Sequence, residues 1–306
     1  PAESPTRESN PIAMEIAVAA HDRHWHWDDL RRAAGEKQKL TRVDLRRLQV
    51  QLARDGTPPQ ISTAETRLNN VPLLLLLGIP GGTLEQVVFR MDALAALQLT
   101  GVKVLNPPRA VETCVDKYLT LQRLAAAGLP IPRTAVCQTL EQTLEATSQL
   151  GNDIVLKPLF GSEGKGLERA MNTEQLKAIA GRWLEAGRVL YLQEFIPHAG
   201  WDLRLFVIGD RVWAMRRSNA QDWRTNASRG AVNSPWTPNE RELEFAHKAA
   251  AAVGAPIAGV DLVYDQHGAP YLLEVNSAPG WKYISAATGV DIAAELLEFC
   301  AQQAKS

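Results

Sequence analysis

The sequence has few cysteines and almost no net charge, and each shortage excludes a class of protein. Its 306 residues include three cysteines, Cys114, Cys137 and Cys300, which lie far apart. An odd number of widely spaced cysteines fits neither a disulfide framework nor a zinc site. We therefore expect a reducing, cytoplasmic location. The formal net charge of −1 argues against non-specific binding of nucleic acid, so no nucleic-acid partner is expected.

Long apolar runs are also missing. The run 73–77 has five leucines, whereas a membrane helix needs about twenty apolar residues. We therefore expect no membrane partner and interpret this run as a buried parallel strand. Residues 1–13 are polar and lack the apolar core of a signal peptide, which indicates a tail or a tag before Met14. The hydrophobic content of 45% is ordinary for a globular protein.

Helix and strand signals alternate along the first third of the chain. Such alternation predicts a parallel sheet with helices on both faces. The middle of the chain mixes the two, and the last third is rich in strands, so the expected class is mixed α/β (α+β). In the first third, strands are predicted at 16–20, 40–45, 73–77 and 102–105, and helices at 28–38, from 45 to about 52, and at 83–99.

Three domains follow a short tail. The pair Pro107-Pro108 closes the first of them, because proline interrupts both helices and central strands. The later strands are predicted at 134–138, 153–158, 189–194, 203–208, 211–217, 259–264 and 271–276. The later helices are predicted at 116–127, 140–150, 173–186, 239–253 and 291–303. The expected divisions are 1–13, 14–106, 107–192 and 193–306.

Two strand-like segments near the C-terminus bring oxygen ligands together. Glu274 and Asn276 lie two apart in a strand, which places both side chains on one face. The segment 265–268 has turn chemistry with a strand on each side, and folding that hairpin brings Asp261 beside Glu274. Two carboxylates and an amide oxygen suit a hard cation such as Mg²⁺. Taken alone, the pattern is more typical of a solvated acidic edge.

A glycine-rich loop follows the strand that ends at Lys157. Glycines let backbone N–H groups approach a phosphate, and a lysine adds a point charge. The loop lacks the P-loop pattern, so a flexible turn explains it equally well. Lys117, in the first turn of a helix, is a second candidate cation. The loop residues of interest are Gly161, Ser162, Gly164, Lys165 and Gly166.

A strand end and a group of arginines add to the candidate site. The segment 193–196 crosses from a strand into a loop and could bind an adenine edge through its backbone. Asp202 and Arg204 lie two apart and so face the same way. A group of arginines close in sequence indicates recognition of an oxyanion more than solvation. Its members are Arg216, Arg217, Arg224 and Arg229.

In this order, the motifs resemble those of the RimK-like branch of the ATP-grasp ligases, which joins the amine of L-glutamate to a carboxylate. The resemblance runs from about residue 78 to 292. It rests on Lys117, Lys157 with its glycine loop, Gln193-Glu194-Phe195-Ile196, Asp202-x-Arg204, Trp223-Arg224-Thr225-Asn226-x-x-Arg229-Gly230, Gly259-Val260-Asp261 and Glu274-Val275-Asn276-x-x-Pro279-Gly280. The segments 82–92, 115–118 and 158–164 most resemble the subgroup that adds glutamate to tetrahydromethanopterin.

The resemblance implies an ATP-grasp fold behind an N-terminal parallel-sheet (pre-ATP-grasp) domain, with the central domain as a lid. Lys117 and Lys157 would hold the α- and β-phosphates, and the glycine loop would close over the γ-phosphate. The adenine pocket would be lined by Gln193, Glu194, Phe195 and Ile196. Further nucleotide contacts are expected from Asp202, which would lie near the ribose or orient Arg204, and from Arg224, Thr225 and Asn226.

The same resemblance implies ATP and two Mg²⁺ ions, which Mn²⁺ can replace. Asp261, Glu274 and Asn276 would bind the metals, with Glu274 bridging them. Transfer of the γ-phosphate to a carboxylate would make an acyl phosphate, which an amine then attacks. Our candidates for binding the carboxylate or the oxyanion are Arg204, Arg217 and Arg229.

The expected partners are L-glutamate and a small acceptor with an aromatic body and a carboxylate tail, a tetrahydromethanopterin-type pterin first among them. Tryptophans could stack on such a ring, and Trp281, directly after Pro279-Gly280, is the first choice among Trp25, Trp27, Trp223, Trp236 and Trp281. A protein C-terminus, a polyglutamate chain or a furan cofactor precursor are the alternative acceptors. A phosphotransferase or a non-catalytic nucleotide-binding protein are the alternative classes, and a homo-oligomer is left open.

Overall fold

The computed structural model describes residues 14–20, 25–161, 164–226 and 230–305. The helices are α1 (Trp25–Ala34), α2 (Leu84–Leu99), α3 (Pro108–Val115), α4 (Lys117–Ala126), α5 (Leu140–Leu150), α6 (Thr173–Glu185), α7 (Glu240–Val253), α8 (Lys282–Thr288) and α9 (Ile292–Gln303). The strands are β1 (Met14–Ala19), β2 (Gln38–Val43), β3 (Gln49–Gln51), β4 (Gln60–Ser62), β5 (Leu73–Leu76), β6 (Lys103–Leu105), β7 (Thr134–Cys137), β8 (Ile154–Lys157), β9 (Glu168–Ala170), β10 (Leu190–Glu194), β11 (Trp201–Ile208), β12 (Arg211–Ser218), β13 (Val232–Trp236), β14 (Ile257–Tyr264) and β15 (Pro270–Asn276).

The chain divides into two compact units. Unit 1 combines the chain up to Leu105 with Ala293–Ser306, and unit 2 is Asn106–Ile292. The first boundary lies next to the predicted one. The predicted C-terminal domain, however, ran to residue 306, whereas the structure groups almost all of α9 with unit 1. The reason is apolar burial, since Leu296 and Cys300 are fully buried and the Gln38 side-chain amide donates to Leu297 O at 3.1 Å.

Unit 1 is built on a parallel sheet with the strand order β2-β1-β5-β6. All four leucines of β5 are buried, as a strand of a sheet covered on both faces requires. Helix α2 begins at a capping box in which Thr83 and Gln86 exchange hydrogen bonds, and this satisfies backbone donors that a helix start leaves free. The predicted N-terminal parallel sheet is therefore confirmed.

One predicted helix of unit 1 is wrong. Residues 45–52 were expected to be helical, but only a short 3-10 turn at Leu45–Arg47 forms, and β3 follows it. Strand β3 pairs antiparallel with β4, with Val50 opposite Ile61. Ile61 is fully buried, so the pairing gains apolar burial that an isolated helical turn at this point could not provide.

Unit 2 contains two antiparallel sheets. The smaller has the order β7-β10-β8-β9 and packs with α5 and α6 around a core that includes Leu156, Leu176 and Trp183. The larger has the order β13-β12-β11-β14-β15 and packs against α7 through residues such as Ala249 and Val260. Strands β9 and β13 and helices α3 and α8 were not predicted. The proposed boundary at 192/193 lies within β10 of the smaller sheet and stays a prediction.

No helix within the described ranges is long and apolar enough to cross a membrane.

Candidate active site

The predicted metal ligands meet where β14 and β15 pair. Asp261 on β14 lies directly opposite Glu274 on β15, which confirms the hairpin pairing expected from the turn between them. The register shifts immediately after Asp261, as in a β-bulge, a device that re-aims side chains near functional sites. Asn276 donates from Nδ2 to Glu274 Oε1 at 3.0 Å. An amide and two carboxylates therefore share this part of the strand pair.

Two arginines converge on Asp261. Arg204 Nη2 donates to Asp261 Oδ2 at 2.9 Å, and Arg217 Nη2 lies 3.1 Å from the same oxygen. Arg217 is also held by both oxygens of Asp202, at 2.7 and 2.5 Å. Asp202, Arg217 and Asp261 are all buried, and buried charges need such partners. Asp202 thus orients Arg217, and not Arg204 as the resemblance suggested.

The two predicted phosphate-binding lysines are held by neutral oxygen atoms. Lys157 Nζ donates to Gln193 Oε1 at 2.6 Å, while Gln193 Nε2 donates to Thr134 Oγ1 at 3.1 Å. Lys117 Nζ donates to Gly161 O at 2.7 Å. A neutral acceptor holds an ammonium group less firmly than a carboxylate does, so both lysines stay available to an anionic ligand.

Burial and neighbouring charges shift the pKa values of these groups. Burial lowers the pKa of Lys157 to about 8, although the charge of Glu274 opposes the shift; burial also lowers the pKa of Lys117. Burial alone would raise the pKa of Glu274, but Lys117 and then Arg204 outweigh it and hold that pKa at about 2. Burial raises the pKa of Asp261 to about 6 against the pull of its two arginines. Glu274 therefore stays ionised at neutral pH, stabilised by the positive charges of Lys117 and Arg204.

A cavity of about 860 Å³, open to solvent, contains most of the predicted site. The predicted residues that line it are Lys117, Lys157, Gly161, Gly164, Lys165, Gln193, Glu194, Phe195, Ile196, Asp202, Arg217, Arg224, Thr225, Asn226, Asp261 and Glu274. Gly166, Arg204 and Asn276 are not among its lining residues. Ser162 and Arg229 lie outside the described residues.

One wall of the cavity is apolar and aromatic. Phe195 meets the edge of Trp223, with ring centroids 5.8 Å apart and an interplanar angle of 86°. His198 lies 5.7 Å from Phe195. Sequence reasoning did not propose His198, nor Leu167 and the other apolar lining residues, Val155, Val263 and Leu273. The sequence did offer a signal for these apolar residues. Val155, Val263 and Leu273 belong to predicted strands, and Leu167 directly follows the glycine loop.

The four-arginine group does not form one anion site. Arg216 lies over the ring of Trp201 at 4.6 Å, Arg217 is paired with Asp202, and Arg224 is paired with Asp222 at 2.7 Å. Neighbouring strand residues such as Arg216 and Arg217 point to opposite faces, which separates them. Closeness in sequence therefore did not predict a shared site: of the three members that the structure describes, Arg217 and Arg224 line the cavity and Arg216 does not.

The expectation for Trp281 is wrong. Its side chain is only 1% exposed, so it packs in the interior and cannot stack on a substrate in this structure. Trp236 donates from its indole to Glu242 at 3.0 Å and packs against Trp201 at 5.9 Å. Of the proposed tryptophans, Trp223 is the one that lines the cavity of unit 2.

Gly259 contributes to the site by its lack of a side chain. A Cβ atom at this position would lie 2.6 Å from Arg204 Nη1 and 2.8 Å from Pro279 Cβ. Contacts this short require displacement of one partner. The glycine of the Gly259-Val260-Asp261 motif thus makes room for the arginine that pairs with Asp261.

The residues present fit a hard cation that takes its remaining ligands from a substrate. Among the described residues, no group of three or more His, Cys, Asp or Glu side chains could hold a metal by itself. Mg²⁺, however, usually binds through one or two carboxylates together with phosphate oxygens and water. Asp261 Oδ1 is buried without a well-formed hydrogen bond in the described part of the chain, although Arg204 Nε lies against it. The paired carboxylates therefore suit a metal that arrives with a polyphosphate.

Comparison with known proteins agrees with this geometry. Residues 114–300 match the RimK-like ATP-grasp domain. The chain is 33% identical over 318 residues to the tetrahydromethanopterin:alpha-L-glutamate ligase of Methanosarcina acetivorans, a match covering 93% of this chain and 98% of that protein. It is 35% identical over 215 residues to a probable alpha-L-glutamate ligase of Legionella pneumophila (strain Corby), covering 68% and 70% of the two chains.

Solved structures show the same architecture. The ATP-grasp ligase PsnB, complexed with a minimal precursor, superposes with a TM-score of 0.74 at 19% identity, and the match covers 95% of this chain and 100% of that one. The fold is therefore the ATP-grasp fold, and the cavity that contains most of the predicted site lies in unit 2. The chain belongs to the RimK-like ATP-grasp family and is an ATP-dependent ligase.

Proposed function

We propose that this ligase joins the amine of L-glutamate to a carboxylate of a small acceptor, in the cavity of unit 2. One observation carries the proposal: Lys117, Lys157, Asp261 and Glu274 line the same cavity. The lysines suit a polyphosphate, and the carboxylates suit the metal that accompanies it. The names of the Methanosarcina and Legionella relatives support glutamate as the amine.

The reaction has two steps. An acceptor oxygen attacks the γ-phosphorus, the bond to the bridging oxygen breaks, and ADP leaves. The amine nitrogen of glutamate then attacks the acyl carbon, the bond to phosphate breaks, and the nitrogen loses a proton as the amide forms. Lys117 and Lys157 neutralise and position the phosphates. Because water would destroy the acyl phosphate, residues 107–192 with their glycine loop are proposed to act as a lid.

Asp261, Glu274 and Asn276 would hold two Mg²⁺ ions, and Mn²⁺ could replace Mg²⁺. Bound metal neutralises the charge that develops on the transferred phosphoryl group. Arg217 is proposed to position Asp261, since two carboxylates already hold it. Arg204 remains the proposed group for the acceptor carboxylate or the oxyanion, together with Arg229.

A tetrahydromethanopterin-type pterin is the proposed acceptor. The Methanosarcina relative, which matches nearly the whole chain, supports this choice by its name, and Trp223 offers an aromatic side chain in the cavity. A peptide acceptor is the main competitor and forms one arm of the test.

The test is ligation with ATP, Mg²⁺ and L-glutamate against a panel of pterin, furan and peptide carboxylates, read by product mass and by release of ADP and orthophosphate. We expect a glutamyl adduct of a pterin, with ADP and orthophosphate formed in equal amounts during turnover and with release of orthophosphate dependent on the amine. A phosphotransferase would release no orthophosphate. Glutamylation of a peptide with no pterin accepted would show that the acceptor class is wrong.

Matched variants link the activity to the cavity. Lys157→Met should abolish ligation, because it removes a cation that lines the phosphate region. Lys177→Met changes an exposed lysine on α6 and should leave turnover close to that of the parent. Equal activity in both variants would contradict the site.

A further inference from the structure

Phe195, in the aromatic wall of the cavity, is held by two residues that do not line the cavity. The guanidinium carbon of Arg169 lies 3.4 Å from the centroid of the Phe195 ring. The same guanidinium donates hydrogen bonds to both carboxylate oxygens of Asp153, at 2.7 and 2.6 Å. The backbone oxygen of Asp153 also accepts a hydrogen bond from Phe195 N at 2.9 Å. One residue therefore fixes both the backbone of Phe195 and the cation stacked on its ring.

Asp153 and Arg169, which together hold Phe195 and are called the clamp below, connect three strands of the smaller sheet in unit 2. Asp153 directly precedes β8, Arg169 is on β9 opposite Val155, and Phe195 follows the last residue of β10. Val155 and Phe195 both line the cavity. The position of the Phe195 ring thus depends on the sheet and not only on its own loop.

Stability alone does not account for such an arrangement. The side chains of Arg169 and Asp153 are 23% and 40% exposed, and ion pairs in contact with solvent add little to stability. A guanidinium stacked on an aromatic face, by contrast, restricts the plane of the ring and attracts it electrostatically. Its geometry requires the flat, forked arginine head, which lysine lacks.

We propose that Arg169 and Asp153 are positioning residues for the base of the nucleotide: they set the plane of Phe195, against which the base packs. The proposal rests on the proposed function only in that ATP binds in this cavity. Lys117, Lys157 and Glu274, the residues that suit the phosphates and their metal, line the same cavity, but neither Arg169 nor Asp153 is paired with any of them in the described contacts. Loss of the clamp should therefore weaken contacts to the base and leave contacts to the phosphates unchanged.

The experiment measures binding of ATP and of inorganic tripolyphosphate, with Mg²⁺ present, by calorimetry and by tryptophan fluorescence. The variants are Arg169→Met, Arg169→Lys and Asp153→Asn. The control is Arg182→Met, which breaks a 2.7 Å ion pair between Arg182 on α6 and Glu168 on β9 of the same sheet. We expect Arg169→Met to raise the Kd for ATP about five- to tenfold, the size of one partly buried cation–π contact. The Kd for tripolyphosphate should stay within about twofold of the parent value.

The two conservative variants and the control separate positioning from a general structural role. Arg169→Lys should recover only part of the affinity for ATP, and Asp153→Asn should weaken ATP binding in the same direction. Arg182→Met should bind both ligands like the parent. In turnover, the KM for ATP should rise while kcat at saturating ATP stays near the parent value.

Two results would overturn the proposal. Arg169→Met and Asp153→Asn binding ATP as tightly as the parent would show that the clamp does not act on the base. An equal loss of ATP and tripolyphosphate affinity would show that the clamp merely supports the sheet. Failure of the parent to bind ATP would refute the proposed function as well, and absence of ligation with intact ATP binding would refute the proposed reaction alone.

Discussion

Replacing Glu274 with glutamine should nearly abolish ligation. The change keeps the shape of the side chain and removes one negative charge at the point where β14 and β15 pair. We propose that this carboxylate binds the metal that stabilises the transferred phosphoryl group. If its loss removes about 4 kcal/mol of that stabilisation, turnover should fall about 10³-fold.

The same substitution should cost stability in the protein without ligands. Glu274 has a pKa of about 2 instead of the ordinary 4.5, so its ionised form is favoured in the folded state by about 3 kcal/mol. A lowered carboxyl pKa contributes stability that is present above the unfolded pKa and is lost as pH falls through the folded one. At pH 7 the glutamine variant should therefore be less stable than the parent, and the difference should shrink between pH 4.5 and about 2.

The assay is steady-state release of ADP and orthophosphate at saturating Mg²⁺, with urea unfolding at several pH values beside it. Glu298→Gln is the control, because Glu298 is exposed on α9, where its carboxylate accepts a hydrogen bond from Gln302 Nε2 at 3.3 Å. It should match the parent in both measurements. Near-normal turnover of a folded Glu274→Gln protein would refute the metal assignment, and equal stability at pH 7 would refute the electrostatic reasoning.

Three further predictions concern the fold and the site. Glu242 accepts hydrogen bonds from an indole, a phenol and a backbone amide, so Glu242→Ala should cost about 3 kcal/mol in urea unfolding, while alanine at exposed Glu244 should change stability by less than about 0.5 kcal/mol. Burial raises the pKa of Cys300 to about 12 and also raises the pKa values of Cys114 and Cys137. Because all three thiols therefore stay neutral at pH 8, iodoacetamide should label the protein rapidly only after denaturation. Fast labelling of the folded protein would contradict this burial. Gly259→Ala should displace the Arg204 side chain and lower kcat while the protein stays folded, and unchanged kinetics would show that the close approach can relax.

Local features of the fold were predictable because they depend on residues close in sequence. Helix α5 has the predicted bounds, since Thr139 caps its start and Gly151 ends it. The leucines of β5 indicated a strand buried on both faces, and the structure shows one. The pairing of Asp261 with Glu274 followed from a short hairpin, because a turn between two strands leaves few possible registers.

The failures have a common cause in contacts between distant segments. Residues 45–52 have a helix-like pattern, yet β3 pairs with β4 and buries Ile61. Trp281 follows a motif near the metal ligands, but its position in sequence could not show that it would be packed in the interior.

The sequence by itself determined the alternation of elements, the glycine loop, the lysines and the carboxylate hairpin, because each depends on periodicity or on spacing within a short segment. Only the tertiary structure decided how the charges are paired. Arg204 and Asp261, which form an ion pair, are 57 residues apart in sequence. Arg217 pairs with Asp202 because the two residues lie opposite each other on β12 and β11. Such pairs form where strands bring charged side chains together in the interior, because a buried charge without a partner is costly. The strand order decides which two charges pair, and sequence spacing does not specify that order.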